Sequence, residues 1–329
     1  MTAIIIVIFL ALAFDFINGF HDTANAIATS VSTRALTPRR AILLASTLNF
    51  VGAMTFTGVA KTIGGSVADP ATLEHGMLIV TATLIAAIAW NLITWWFGIP
   101  SSSSHALIGA LTGAVVSAAG FSAVNPAGFK KILYALLLSP IIAFAVGFTI
   151  MWILKMVFAK ANPHKTNKGF RGMQVLTAAF QSFTHGTNDA QKAMGIITFA
   201  LVAGGFQETL DVPTWVKISA ALAMALGTSV GGWKIIKTMG TKIFKIEPVN
   251  GFAADLSSAG VILTATLNEL PVSTTHAITS SILGVGSAKR FSAVKWGVAG
   301  RIVVAWVITI PVAGLLAAVI YRLIALVSL

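Results

Sequence analysis

Two pairs of polar clusters interrupt otherwise apolar stretches of this sequence. The first pair is Gly19–Ala26 and Gly186–Ala193, and each cluster has an Asp at its fourth position. The second pair is Pro100–His105 and Pro271–His276, and each has a Pro, then hydroxyl residues, then a His. An ionisable group at bilayer depth is costly, so it faces a polar cavity or a partner. A single polar residue would indicate packing between helices, but two matching pairs indicate a binding site.

The Pro-hydroxyl segments favour binding of an oxyanion. Pro suits the first turn of a helix, and Ser or Thr suits its N-cap. The free N–H groups at a helix start then point at the ligand, together with the hydroxyl donors. One copy alone is as typical of an ordinary capped helix. A second copy with its His in register favours a cage that binds an anion from two sides, with the donors Ser102, Ser103, Ser104, Ser273, Thr274 and Thr275.

The other pair of clusters contains carboxylates, which would repel an anion. We therefore expect them to bind a coupling cation or a proton beside the anion. Sodium prefers carboxylate, amide and carbonyl oxygens, and the candidate ligands are Asn18, Asp22, Asn188 and Asp189. Lys192 either neutralises the anion or pairs with one of the Asp residues. Asp255 either joins the cation site or is an acid favoured by the dipole of a helix start.

Four His residues accompany these clusters. A His changes its charge near neutral pH, so each could relay protons. A single buried His is also common as a packing residue, and this alternative stays open. The four candidates are His21, His105, His185 and His276.

The elements that position these residues are predicted to be membrane helices. The chain of 329 residues is 56% hydrophobic and 10% charged, with a mean hydropathy of +0.88, whereas soluble domains have about a quarter charged residues. The net charge of +12 lies mostly in short loops, so it indicates topology and headgroup contacts rather than nucleic-acid binding. The absence of Cys excludes disulfides and thiolate metal sites. The predicted class is an all-α polytopic membrane protein.

Both pairs recur in the same order, which predicts an internal duplication of about five segments per half. Residues 1–155 form the first repeat, 156–172 a basic linker and 173–329 the second repeat. We expect broken helices at Asn18–Asn25 and at His185–Lys192. If the Arg- and Lys-rich loops are cytoplasmic, the linker is inside, both termini are outside and the repeats are inverted. The Pro-hydroxyl segments either cross fully or form re-entrant hairpins.

These residues also resemble the inorganic phosphate transporter (PiT) family. The resemblance covers essentially the whole chain and recurs in both halves. It implies phosphate uptake by cation-coupled symport, an inverted-repeat fold, a shared site and a homodimer in the cell membrane. By position it assigns Asn25 and Lys192 to the paired signature together with Asp22 and Asp189, and the Pro-hydroxyl starts to phosphate binding. Asn49 and His21 stand where sodium-coupled relatives tend to have Glu and Asn.

Other functions use the same residues differently. Phosphate symport with H⁺ or Na⁺, with phosphate carried free or as a metal complex, is the first hypothesis. An anion channel, or a transporter of another tetrahedral oxyanion, is the second. A membrane hydrolase that uses Ser104, His105 and Asp22 is the third. The sequence contains no nucleotide-binding loop, so we expect neither ATP drive nor a cofactor beyond the coupling ion.

Overall fold

A computed structural model describes residues 2–328, and within that range the elements are helices without strands. The prediction of an all-α protein is confirmed. The helices, which short turns connect, are α1 (Thr2–Ser32), α2 (Pro38–Ala53), α3 (Gly58–Ser66), α4 (Gly76–Phe97), α5 (Ser103–Ala119), α6 (Pro126–Val157), α7 (Pro163–Asp189), α8 (Gln191–Ala203), α9 (Thr214–Val230), α10 (Trp233–Lys237), α11 (Pro248–Leu267), α12 (Thr274–Arg290) and α13 (Trp296–Ser328).

Several of these helices are long and apolar enough to cross a bilayer. Four qualify singly, namely α1, α4, α6 and α13. Two bent pairs are apolar enough when taken together, as a broken span or a re-entrant loop: α2 meets the segment Gly58–Thr72 at 70°, and α9 meets Trp233–Lys242 at 62°. An apolar stretch of about 20 residues is needed to span the hydrocarbon. The chain is therefore a multi-pass membrane protein with broken spans.

The polar clusters affect the helices differently in the two halves. In the second half α7 ends at Asp189 and α8 begins at Gln191, so the predicted break at His185–Lys192 is confirmed. In the first half the predicted break is wrong, because α1 continues from Thr2 to Ser32 through its cluster. Its polar side chains bond to neighbouring helices, and the helical backbone bonds persist. Residues 163–172 of the predicted linker are helical and belong to α7.

Helices of one half pack on helices of the other in matched pairs. α1 packs on α9 as α7 packs on α2, and α5 packs on α13 as α12 packs on α6. A two-fold relation between the halves requires such pairs. The opposite orientation of the halves in the membrane stays a prediction.

Glycines permit the closest of these contacts. A Cβ placed on Gly19 would meet the carbonyl oxygen of Met224 in α9, and one on Gly186 would meet that of Asn49 in α2. The partner helices also have a glycine at each crossing, Gly227 in α9 against α1 and Gly52 in α2 against α7, so the backbones can approach closely. The crossings hold α1 and α7, which carry the polar clusters, firmly in place.

The polar clusters lie between two apolar clusters of the protein interior. One apolar cluster contains α1 residues from Ile4 to Phe14, and the other contains α1 residues from Ala24 to Ala28. The buried polar residues Asn18, His21 and Asp22 come between them along α1. The fold thus positions a polar site in the middle of a mainly apolar bundle.

Candidate functional site

The carboxylate of Asp22 forms the first half of the site. It is buried on α1, and its Oδ1 lies 2.7 Å from the Nδ1 of His21. The hydroxyl of Ser103, at the start of α5, donates to its Oδ2 at 3.0 Å. The hydroxyl of Thr275, at the start of α12, donates to Oδ1 at 3.3 Å. Donors from both Pro-hydroxyl segments therefore meet at one carboxylate.

The carboxylate of Asp189 forms the second half, at the end of α7. The Nζ of Lys192 lies 2.8 Å from its Oδ1, and Thr274 donates to the same oxygen at 3.1 Å. On the other side, Asn18 donates to Oδ2 at 3.4 Å, and the Nε2 of His185 lies 3.4 Å from it. Lys192 follows Asp189 by three residues, a spacing that brings the two side chains together on a helical backbone.

Lys192 and Asn25 connect the two halves. Lys192 is almost fully buried, and its Nζ donates to the hydroxyl oxygen of Ser103 at 2.7 Å, in addition to its contact with Asp189. The amide of Asn25 donates to Thr275 at 2.9 Å and to Thr274 at 3.2 Å. The result is a single enclosed cluster of hydroxyl, amide and ammonium donors around two carboxylates. The pairing of Lys192 with Asp189 is one of the two alternatives left open for this residue.

The starts of α5 and α12 are built alike. Ser102 and Ser273 are N-caps, and their hydroxyl oxygens accept the backbone N–H groups of His105 and His276, at 3.1 Å in each case. Capping engages these two serines, so the donors that face the carboxylates come from the next residues. The hydroxyl of Ser104 donates to the carbonyl oxygen of Val272 at 2.8 Å and joins the two segments directly.

These two helix starts lie inside the protein. Each helix has 17 residues and is about 25 Å long at 1.5 Å per residue, shorter than a hydrocarbon layer of about 30 Å. The hydroxyl residues of both starts are buried. The free N–H groups of both helices therefore open into the enclosed cluster, where no bulk water competes for them.

The His residues occupy two environments. The ring of His21 lies between Asp22 and the hydroxyl of Thr94, which is 3.1 Å from Nε2. The rings of His105 and His276 lie 4.3 Å apart, and His276 stacks on Trp306 at 3.8 Å. The His105–His276 pair therefore packs behind the helix starts. A proton-relay role of any of the four stays a prediction.

One group of side chains has the composition of a cation site. Ligand atoms of Asp22, His185 and Asp189 all lie within 4.8 Å of one another. Two carboxylates and an imidazole suit a small cation or a proton. His185, predicted only as a relay, thus joins the expected ligands Asp22 and Asp189.

Two other expected cation ligands lie outside this group. The Oδ1 of Asn188 accepts the backbone N–H of Val272 at 3.3 Å, and its amide donates to Thr266 at 3.0 Å. Asn188 therefore supports the start of α12. Asp255 accepts a hydrogen bond from the hydroxyl of Thr29 at 2.6 Å. Thr29 lies on α1 one helical turn beyond Asn25, so Asp255 does not contact the central carboxylates. The structure thus places Asp255 away from the Asp22–Asp189 site, and a cation-ligand role of either residue stays a prediction.

The sequence did not indicate several further contacts. Asn49 bonds to the Nδ1 of His185 at 3.1 Å and donates to Thr228 at 3.0 Å, so it orients the imidazole. Ser101 donates to Thr94 at 2.8 Å beside His21. No spacing rule finds such contacts between distant helices. Asp15 is a further buried acid on α1, and its position in an apolar span was a signal that could have found it.

The residues of the hydrolase hypothesis do not form a relay. The hydroxyl of Ser104 donates to a carbonyl oxygen, and the Nδ1 of His105 lies 2.8 Å from Ser102. Asp22 accepts from Ser103 and contacts His21 instead. Ser104, His105 and Asp22 therefore do not form the serine–imidazole–carboxylate chain that this hypothesis requires.

Comparisons with known proteins identify the family of this chain. A family model described as the phosphate transporter family matches residues 18–317. The chain is 62% identical over 318 residues to a probable low-affinity inorganic phosphate transporter of Bacillus subtilis (strain 168), covering 96% of each chain. It is 47% identical over 313 residues to a protein of the same description from Rhizobium meliloti (strain 1021), covering 94% of this chain and 93% of the relative. A solved structure described as the sodium-dependent phosphate transporter has a TM-score of 0.91 at 26% identity, covering 99% of this chain and 100% of that one.

Proposed function

Because this chain belongs to the phosphate transporter family, we propose that it imports inorganic phosphate across the cell membrane by symport with a cation. Its relatives and structural neighbour are phosphate transporters rather than enzymes. The observation that carries the proposal is the convergence of two helix starts and one buried ammonium group on two carboxylates. Such a cluster offers donors to an anion and ligands to a cation in the same enclosed space.

Phosphate binds between the starts of α5 and α12. The donors nearest to both halves of the cluster belong to Ser103, Thr274, Thr275, Asn25 and Lys192. Hydroxyl, amide and ammonium donors replace the water shell of a tetrahedral oxyanion. The two helix dipoles favour its negative charge. In this site Lys192 neutralises part of the phosphate charge while it remains next to Asp189.

The coupling cation binds at Asp22 and Asp189. An anion beside two carboxylates would be repelled, so a Na⁺ or H⁺ at this position offsets the charge. His185 completes the ligand set on the side away from Lys192. Phosphate and cation then stabilise each other, which makes the uptake of one depend on the other.

Transport proceeds by alternating access. The two inverted halves move relative to each other around the fixed site and open it first outside and then inside. The termini lie outside and the linker 156–172 lies in the cytoplasm, in accordance with the basic loops. Two copies of the chain form a homodimer in the plasma membrane.

Uptake of radiolabelled phosphate into proteoliposomes tests this function, with sodium and pH gradients varied independently. Wild-type protein accumulates phosphate under one of the gradients. Asp22→Asn and Asp189→Asn abolish this accumulation while the protein still inserts. Asp211→Asn is the control, because Asp211 is exposed and pairs only with Lys61 and Thr209 at the surface. Wild-type accumulation in both site variants would contradict the cation role.

The same assay separates the alternatives. A channel passes phosphate down its gradient and does not accumulate it, whatever cation gradient is imposed. A carrier for another oxyanion would show stronger competition by sulfate or arsenate than by unlabelled phosphate. We expect unlabelled phosphate to compete best.

A further inference from the structure

Asp15 is a buried carboxyl group that the central cluster does not use. It lies on α1 with no exposed surface, and neither of its oxygens has a hydrogen-bond partner within residues 2–328. Asp22 and Asp189 differ from it, since several donors surround each of them. A carboxylate without donors at bilayer depth is costly, so it persists where a positive charge accompanies it.

Asn18 offers Asp15 both an amide nitrogen and an amide oxygen. Asn18 lies one turn further along α1; its amide nitrogen donates to Asp189, but its Oδ1 has no partner among the described residues. The charged groups that act on Asp15 are Asp189 from α7 and Lys192 from α8. Asn91, on the adjacent helix α4, is also buried with both polar atoms unpartnered in the described part of the chain. Carboxylate and amide oxygens without donors are the ligands that hard cations prefer.

The position of Asp15 connects it to the central cluster. Asp15, Asn18 and Asp22 follow one another at i, i+3 and i+7, so they share one face of α1. Asp15 is about 10 Å from Asp22 along the helix axis at 1.5 Å per residue. Asn18 lies between them and contacts Asp189 directly. A cation at Asp15 would therefore lie in line with the central site.

We propose that Asp15 and Asn18 form a second cation site, which holds one monovalent cation and makes phosphate accumulation depend on the cation gradient. The single negative charge of Asp15 matches one positive charge. H⁺ and Na⁺ both have this chemistry, and the two gradients distinguish them. The inference rests on the proposed function and adds a residue to its coupling.

The test compares Asp15→Asn with Ser182→Ala in proteoliposomes. Ser182 holds the corresponding position in the second half, with Asp22 and Asp189 in register, and its hydroxyl donates to the Ala178 carbonyl of its own helix. Two quantities are measured: accumulation under a sodium gradient or a pH gradient, and exchange of labelled for unlabelled phosphate without any gradient. Asp15→Asn lowers gradient-driven accumulation by at least about fivefold, the lower end of typical coupling between two sites. Its exchange stays within about twofold of wild type, and Ser182→Ala keeps both activities.

Two results in this assay overturn the inference. Accumulation by Asp15→Asn at the wild-type level shows that no coupling cation depends on Asp15. Loss of exchange together with accumulation shows that Asp15 belongs to the phosphate site.

If the proposed function itself is wrong, the wild type will neither accumulate nor exchange phosphate, which distinguishes that failure from failure of the Asp15 site.

Thermal unfolding of purified protein tests the cation site alone, either with rising NaCl at constant ionic strength or with falling pH without sodium. The cation that binds raises the Tm of wild type more than that of Asp15→Asn. Equal Tm shifts in the two proteins overturn the site.

Discussion

Removal of the Ser103 hydroxyl is expected to weaken phosphate binding without unfolding the protein. This hydroxyl lies 2.7 Å from the Nζ of Lys192 and 3.0 Å from Oδ2 of Asp22, so it contacts both charged parts of the cluster. In Ser103→Ala, Lys192 keeps Asp189 at 2.8 Å and Asp22 keeps His21 at 2.7 Å. Neither charge is left without a partner, and the fold should persist.

The magnitude follows from the charge of the partners. A hydrogen bond to a charged group contributes about 1.5–3 kcal/mol. In the proposed site the Ser103 hydroxyl donates such a bond to the charged phosphate. At about 1.4 kcal/mol per tenfold change, loss of this bond weakens phosphate affinity roughly 10- to 150-fold. Thr274 holds the matching position in α12 and donates to Asp189 at 3.1 Å. Thr274→Val should therefore have an effect of the same order.

Equilibrium binding of radiolabelled phosphate to purified protein measures this change, and the KM of uptake supports it. Thr112→Val is a control on the same helix as Ser103, because the Thr112 hydroxyl donates only to the Ile108 carbonyl of its own helix, at 2.8 Å. Its phosphate affinity should equal that of wild type. Unchanged affinity in Ser103→Ala and Thr274→Val would refute phosphate binding between the two helix starts.

Two further variants test the packing of the site. Lys192→Gln should lower the free energy of unfolding by about 3–5 kcal/mol, because it leaves the buried Asp189 charge unpaired. Adding Asp189→Asn to this variant should restore much of the lost stability. An equal loss in the double variant would disprove the pairing. Gly186→Ala should cost about 1–3 kcal/mol or more, since its Cβ meets the backbone of Asn49. Gly260→Ala, where a Cβ meets nothing within 4 Å, should be neutral or stabilising in the same thermal unfolding measurement.

The sequence predicted those parts of the site that follow from the chemistry of a single residue type, whatever its neighbours are. Ser and Thr are favoured at helix N-caps, and Pro suits a helix start, so the caps at Ser102 and Ser273 were predictable. Asp22 and Asp189 had to face polar partners because lipid offers none. The duplicated order of the clusters then indicated that the two helix starts meet.

The parts that it did not predict depend on contacts between helices. The continuity of α1 is an example: polar residues suggested a break, but His21, Asp22 and Asn25 bond to side chains of α4, α5 and α12 from an unbroken helix. Asn188 and Asp189 are adjacent in sequence, yet one supports a backbone turn and the other forms the site. The rotation of α7 about its own axis decides which of the two side chains faces the site. The packing of α7 on α2 at the glycine crossing sets this rotation, and the local sequence does not.

The exchange of partners between the halves has a consequence for biogenesis. The first half supplies α5, but α13 at the far end of the chain supports it; α12 in turn rests on α6. A ribosome that has completed the first half has therefore made a hydroxyl-bearing helix that packs on α4 but still lacks α13. Until α13 is inserted, the side of α5 that will face it contacts lipid or the insertion machinery. Assembly of the site is thus the final event of synthesis, and a chain truncated before α13 would lack an assembled site.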